Sequence, residues 1–474
     1  MTRSTRRQIS FADVEFIAQG VRLDPMLEAI SNFIDRHGNL IDKVRRDLVH
    51  GLKNPKTGRN GLTAQQVMRS LTLMRVKNWD YRELRERIAD GYTLRRFTRF
   101  YSGRVPKHDA FNRAFNRLTP TTLEVINDIV IQTAVEMGLE NGKKLRVDTT
   151  VVETDIHHPT DSTLLWDTVR VITRLVGRLA DLLPNGVPGF TKRTRSARRR
   201  MQEIMRMTPR ERHNRLVPKY RELIGTTGQV VENARIVLKK TEGIHSFDVM
   251  DDIAIQAIRK EIDHYCGLGE RVIDQARRRV LEGEQVPNDQ KLFSIFETHT
   301  DLIKRGKILK PVEFGHKVFL AESGKGLITQ YHVLDGNPAD EAHVESSLKS
   351  HQETFGEAPT IYSADRGFFS RDNVQHCKDG GVELVCIPQR GGKKTHEQEI
   401  FEKSPEFKKA QKFRAGIEGR ISVLFRGRGM KRCLAEGRDH FVLLVGAAVL
   451  ANNLLVIARL LIEKQNHRRR KYAA

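Results

Sequence analysis

The stretch Lys144-Leu145-Arg146-Val147-Asp148-Thr149-Thr150-Val151-Val152 reads as a β-strand. β-Branched residues dominate it, and Gly142 punctuates its start. Its one carboxylate, Asp148, sits between Val147 and Thr149. Asp is depleted in strands, and a buried charge loses solvation unless a cation pairs with it. That cation can be carried by the protein or be a metal. The alternative is a strand turned so that Asp148 faces water, the ordinary fate of a lone Asp. Other carboxylates arriving at the same place would decide between the two.

Downstream of Asp148 comes a polar loop, Glu153 to Ser162, with His157 and His158 adjacent. Adjacent histidines do not suit one metal from a regular element, so a loop role near a site is expected rather than a zinc centre. Helical periodicity follows from Leu164 to about Glu284, with Val169, Ile172, Leu175, Val176, Leu179 and Leu182 at 3.6 spacing. Inside it lies Lys192-Arg-Thr-Arg-Ser-Ala-Arg-Arg-Arg200, then Arg206, Arg210, Arg212 and Arg215. Such density suits a phosphate backbone; a solvated helix face is the other reading. Strand character returns at Val312–Leu320 and Leu327–Leu334, a hairpin around Gly324-Lys-Gly326. A helix is expected from Glu341 to Thr354, then short strands at Thr360–Ala364 and Val382–Ile387, and helix again from about Ser404.

Two further carboxylates stand out on this path. Asp365 lies just past a buried-type strand, where α/β sheets place ligand groups, and Gly367 permits a sharp turn after it. An ordinary Asp-Arg-Gly turn is the alternative. Glu418 lies in Phe413-Arg-Ala-Gly-Ile-Glu-Gly-Arg-Ile-Ser-Val-Leu-Phe425, where Ile417, Ile421 and Leu424 form an apolar stripe. Arg414 and Glu418, four apart, share a face, and a surface ion pair is the plain reading. Yet Gly416 and Gly419 each weaken a helix by about 1 kcal/mol against Ala. That cost makes sense where the backbone approaches the sheet or a substrate closely.

The order is therefore strand-Asp, hairpin, helix, strand-Asp, helix-Glu. In this the chain resembles the DDE transposases of bacterial insertion sequences. Asp148, Asp365 and Glu418 match that family's catalytic residues in order and context. Arg414 and Glu418 resemble the Arg and Glu of the Tyr-Arg-Glu-Lys signature in one large transposase group. Gln411 stands where that signature has Tyr, and Arg426 falls one residue late for its Lys. Glu313-Phe-Gly-His-Lys317, Ala364-Asp-Arg-Gly-Phe368, Tyr81-Arg-Glu-Leu-Arg-Glu-Arg87 and Leu94-Arg-Arg-Phe97 are similar to the family as well. The resemblance implies a ribonuclease H-like mixed-sheet α/β core in a mainly α chain. It implies that Asp148, Asp365 and Glu418 bind Mg2+, with Mn2+ able to substitute, and carry catalysis. The implied reaction is strand cleavage at transposon ends and strand transfer to target DNA. The implied partner is double-stranded DNA, bound by a homodimer or higher oligomer. Arg366, Arg414 and Arg426 are expected to contact DNA. A Mg2+-dependent nuclease without strand transfer, and a non-catalytic DNA-binding regulator of the same fold, are the alternatives.

The chemistry also stands without the family. Phosphodiester transfer uses metal ions about 3.5–4 Å apart to activate a nucleophile and stabilise the leaving oxygen. Mg2+ prefers carboxylate oxygens; three clustered carboxylates with no cation would repel one another.

Composition agrees. The 474 residues suggest two or three domains. A hydrophobic fraction of 39% supports a real core. The net charge of +23 favours a polyanionic partner, nucleic acid before an anionic membrane. Cys266, Cys377, Cys386 and Cys433 show no CxxC spacing, which fits a reducing cytosol, close to the nucleoid. Met1 to Arg7 is basic with no apolar run behind it, unlike a secretory signal. Phe441–Ile462 is long enough to span a bilayer, but Asn452, Asn453 and Arg459 point instead to a buried core helix.

The N-terminal part reads as short helices. Thr63–Gln66 forms a capping box, Asp80 caps a helix with Glu83 as box partner, and Thr119-Pro120 starts another. Lys107–Arg117 reads as a helix with Phe111 and Phe115 inward and Arg113 and Arg117 outward, either a helix-turn-helix reader or an ordinary bundle with a basic face. The expected domains are a helical DNA-binding region at 1–140, a catalytic domain at 141–163 and 295–463, a helical Arg-rich insertion at 164–294 and a basic tail at 464–474. Lys107, Arg113 and Arg117, with Arg198, Arg199 and Arg200 of the insertion, are the candidate DNA contacts outside the core.

Overall fold

A computed structural model of the chain describes residues 10–20, 22–54, 61–183, 186–187, 189–246, 248–304 and 311–473. The basic start, Met1 to Arg7, lies outside them. Two compact units result: Met1–Glu153 with His316–Ala474, and Thr154–Gly315.

Unit one begins with eight helices: α1 (Phe11–Ala18), α2 (Pro25–Arg36), α3 (Gly38–Val49), α4 (Ala64–Lys77), α5 (Tyr81–Asp90), α6 (Tyr92–Phe97), α7 (His108–Phe115) and α8 (Pro120–Glu136). Local chemistry sets their ends. Thr63 Oγ1 accepts the Gln66 N–H and Gln66 Oε1 accepts the Thr63 N–H, so the capping box opens α4. Asp80 accepts the N–H groups of Arg82 and Glu83 at the start of α5. Glu83 turns to Arg87, one helical turn on, rather than back to the cap. After the turn at Gly142, strand β1 (Lys144–Thr154) follows.

Unit two is a helical bundle of α9 (Asp161–Leu182), α10 (Thr194–Arg206), α11 (Pro209–Lys240) and α12 (Val249–Ala276). The 3.6-spaced residues Val169, Ile172, Leu175 and Leu179 of α9 are buried against Leu223 and Val230 of α11 and Ile262 and Val272 of α12. The unit is wider than the expected insertion at 164–294. Strand β2 (Asp301–Lys304) pairs antiparallel with the first residues of β3 (Val312–Ser323), Asp301 opposite Gly315 and Lys304 opposite Val312. Four residues with a charge at each end give β2 too weak a pattern to stand out in the sequence.

The rest of β3 runs into unit one and organises its sheet. There follow β4 (Ile328–Val333), α13 (Val344–Phe355), β5 (Ile361–Ser363), α14 (Arg371–Asp379), β6 (Leu384–Cys386), α15 (His396–Lys403), α16 (Pro405–Gly427), β7 (Arg432–Cys433) and α17 (Arg438–Ala473). The strand order is β3-β1-β5-β6, with β4 also on β3 and β7 on β1. β4 is antiparallel to β3; β5 is parallel to β1 and β6 to β5. The mixed, open sheet has helices on both faces, the α/β architecture expected of a ribonuclease H-like core.

Period-two alternation assigns the faces. Leu145 and Val147 of β1, with Phe319 and Ala321 of β3, pack against α13 and α14 through Val344, Leu348 and Cys377. Val318 and Leu320 take the opposite face, against Leu424 of α16 and Phe441, Val445 and Val449 of α17. Arg146 and Asp148 share that second face, so Asp148 points at α16, and it is only 9% exposed. The reading in which Asp148 faces water does not hold.

α17 is long and apolar enough to cross a membrane, yet 89% of its most apolar stretch is buried inside the protein. Its Leu443, Leu450, Leu454 and Ile457 share one core with Ile30, Phe33, Leu71 and Ile126 of the N-terminal helices. The expected boundary at residue 140 therefore falls inside unit one. Asn453 explains the polar break. Its Oδ1 accepts the Ile328 N–H at 2.8 Å, and its Nδ2 donates to Ile328 O and Asn127 Oδ1. The basic tail from residue 464 continues the same helix.

Candidate active site

β1, the turn after β5 and α16 bring Asp148, Asp365 and Glu418 around one guanidinium. Arg414 Nη2 lies 3.0 Å from Asp148 Oδ2 and 3.5 Å from Asp365 Oδ2. Its Nη1 lies 3.0 Å from Glu418 Oε1. The two aspartates are held alike. Asp148 Oδ1 accepts the Thr149 N–H at 2.8 Å, and Asp365 Oδ1 accepts the Gly367 N–H at 2.7 Å. Each therefore fixes one oxygen on the backbone and turns the other toward Arg414. The cluster opens to solvent on one side. The Asp148 side chain is 12% exposed, Asp365 40% and Glu418 66%.

A buried network seats α16 over β1. The Glu322 side chain, at 0% exposure, accepts from Arg146 Nε at 2.9 Å and from Arg420 Nε at 2.8 Å. Arg146 Nη1 donates to Phe413 O at 2.6 Å, and its guanidinium stands 4.8 Å over the Phe413 ring. Arg420 Nη1 donates to Asn452 Oδ1. Gly416 is where α16 passes Arg146: a Cβ there would overlap Arg146 Nη1, whereas at Gly419 nothing lies within 4 Å. Close approach thus explains one glycine and not the other. Neither Arg146 nor Glu322 was a sequence candidate. The available signal was that Arg146 sits two residues before Asp148 on one strand face.

A second tie lies on the other face. Thr149 Oγ1 donates to Asp340 Oδ1 at 2.8 Å, and Lys317 Nζ stands 2.7 Å from the same oxygen. A Cβ on Gly367 would come within 2.8 Å of Asp340 Oδ2. Asp340 thereby links the residue after Asp148 with the turn after Asp365.

Residues 289–454 match the family model of the transposase DDE domain. Over that segment the chain is similar to transposase DDE domains. Asp365, Arg414 and Glu418 fall within the matched segment of the DDE domain, and Asp148 precedes it. No curated protein and no solved structure matched the chain. DDE transposases act on DNA and use divalent metal ions.

The three carboxylates around Arg414 fit such an ion in kind, since carboxylate oxygens are what hard cations take. Among the described residues no three His, Cys, Asp or Glu side chains stand close enough to share an ion as placed. The guanidinium stands between them. His157 and His158 lie in unit two; His157 is 3.4 Å from Asp167, and His158 meets Phe314 edge-on.

The side chains expected to contact DNA divide into exposed and tied ones. Arg366 is exposed in the turn after Asp365. Arg426 is exposed at the end of α16 and donates to Ser422 Oγ. Lys107 precedes α7, and Asn112 and Arg113 are exposed on it while Phe111 and Phe115 are buried. Arg117 departs from the expectation. α7 ends at Phe115, and Arg117 Nη2 donates at 2.6 Å to His50 O, a carbonyl left over at the end of α3. Arg198 and Arg199 are exposed on α10, Arg199 near Glu203. Arg200 differs: it bonds Glu222 of α11 at 2.9 Å and is 20% exposed. The insertion is also less free of acids in space than in sequence, because Arg215 pairs with Glu211, and Lys219 with Glu203 and Glu222.

Proposed function

We propose that Asp148, Asp365 and Glu418 are the metal-binding catalytic carboxylates of a DNA transposase that cuts at transposon ends and joins the freed 3′-hydroxyls to target DNA. The observation that carries this reading is the single guanidinium touching all three side chains, which come from a strand, a turn and a helix far apart in the chain. Mg2+ held by these oxygens would polarise the scissile phosphate and activate the attacking hydroxyl.

The chain's own groups supply order. Backbone N–H groups of Thr149 and Gly367 fix one oxygen of each Asp, leaving the other directed inward at no further entropic cost. The Glu322 network sets the height of α16, and with it Glu418. The exposed cations Arg366 and Arg426 are placed to take phosphates of duplex DNA.

Asp148→Asn tests the reading. Cleavage of end DNA should be lost while binding stays near wild type, because the carboxylate serves the ion and not the phosphate grip. Equal loss of binding and cleavage would make Asp148 a structural residue.

A further inference from the structure

We propose that Arg414 and the divalent cation are alternative occupants of one site, so that metal entry and departure of the guanidinium are a single exchange. The inference rests on reading Asp148, Asp365 and Glu418 as the metal ligands.

Geometry forbids joint occupancy. The guanidinium nitrogens lie 3.0 Å from Asp148 Oδ2 and 3.0 Å from Glu418 Oε1, in the space between the inward oxygens. Mg2+ binds oxygen at about 2.0–2.1 Å, so an ion on these oxygens would take the volume the guanidinium fills. Two positive groups there would also repel.

Charge decides the direction. Three carboxylates and one guanidinium leave two net negative charges; a divalent ion in place of Arg414 leaves one and frees a cation. Without metal, the guanidinium spares Asp148, Asp365 and Glu418 from facing one another unscreened. Only the pair with Asp148, 17% and 12% exposed, holds Arg414 firmly. Glu418 is 66% exposed and Asp365 40%, and pairs of that kind are weak. Arg414 Nε is buried and makes no hydrogen bond, so the seated guanidinium is not fully satisfied. The way out is the side where Asp365 and Glu418 meet solvent.

The substrate completes the exchange. A DNA phosphate is an anion for the released Arg414, and whatever binds the displaced side chain strengthens metal binding by linkage. Metal and DNA then bind cooperatively through one side chain.

The test is Mn2+ binding by the full chain, read from the loss of the free-ion electron paramagnetic resonance signal, with and without a duplex. Arg414→Gln should bind Mn2+ about tenfold more tightly than wild type in the absence of DNA, and Arg414→Lys by a smaller factor. Duplex DNA should tighten Mn2+ binding to wild type and leave Arg414→Gln unchanged. Should Arg414→Gln fail to fold, judged by thermal melting, Arg414→Lys carries the test with the same sign. Arg414 variants that bind Mn2+ no more tightly than wild type, while Asp148→Asn still abolishes binding, would overturn the exchange and leave the metal site standing. Mn2+ binding that survives Asp148→Asn in every background would overturn both.

Discussion

Asp148 and Asp365 follow the same register pair of two adjacent parallel strands: each stands two residues beyond Arg146 and Ser363, the last pair of β1 with β5. Parallel strands advance in step, so the two carboxylates emerge side by side although they are remote in the chain. β1 continues past Asp148, whereas β5 stops at Ser363 and leaves Asp365 to cap a turn. The sheet alone thus sets two of the three carboxylates, and the seating of α16 sets the third.

That seating is tested by one substitution made at two glycines. Gly419→Ala should stabilise the protein by about 1 kcal/mol through helix propensity, since nothing lies within 4 Å of the new methyl. Gly416→Ala should destabilise by about 1–3 kcal/mol, because the methyl displaces Arg146 from under α16. Denaturant titration of the two variants reads the difference. Equal shifts would mean that α16 is free to move away from β1.

Glu322→Ala should cost about 3–5 kcal/mol, since two buried guanidiniums would lose their common partner. The loss should appear in the unfolding midpoint before any assay on DNA. A variant as stable as wild type would show that Arg146 and Arg420 find other acceptors.

How much of this was legible depended on whether a signal was local. The capping box at Thr63, the proline start at Pro120 and the alternation in β1 are written within a few residues, and each appears in the fold. The order of Asp148, Asp365 and Glu418 was legible as well, and so was the reach of Arg414 to Glu418, a one-turn spacing. Its reach to Asp148 was not, because nothing local relates α16 to β1. For the same reason nothing in the sequence marks Glu322 at the end of a hairpin strand, and Arg117 and Arg200 read as outward cations. Their partners, His50 and Glu222, are brought near only by tertiary packing.

The basic helix of unit two now gives a sharper test than a block substitution. Arg198→Ala should reduce the slope of log affinity against log salt by about 0.9, on end and random DNA alike. Arg200→Ala should leave that slope alone and lower stability by about 1 kcal/mol, because its partner is Glu222 of α11. Salt titrations of binding beside melting curves separate the two. A selective loss on end DNA for Arg198→Ala would make α10 a sequence reader.

Acid sensitivity should follow His351. Burial pushes its imidazole down from 6.5 to about 4, with Nε2 held against Gly142 O at 2.9 Å and Nδ1 buried without a partner. The folded form keeps this histidine neutral while the unfolded chain binds a proton below about 6.5. Stability is therefore fully present above that value and falls as pH drops toward 4, by up to about 3 kcal/mol for this group. His351→Gln should flatten stability against pH between 6.5 and 4. An unchanged profile would assign the acid loss to other groups.

The sequence of unit two interrupts that of unit one, and this bears on biosynthesis. β1 is made before Thr154–Gly315, and its neighbours β3 and β5 only emerge afterwards. At about 5–20 residues per second, roughly 10–40 seconds separate β1 from β5 on the ribosome. Through that interval a strand with one apolar face, Leu145 and Val147, and unpaired edges waits on the nascent chain, a ready template for pairing with another copy. Early collapse of the helical unit would hold the ends of the insertion near each other and shorten the search by which β3 finds β1. The assembly of this sheet is thus paced by a segment that contributes none of the three carboxylates around Arg414.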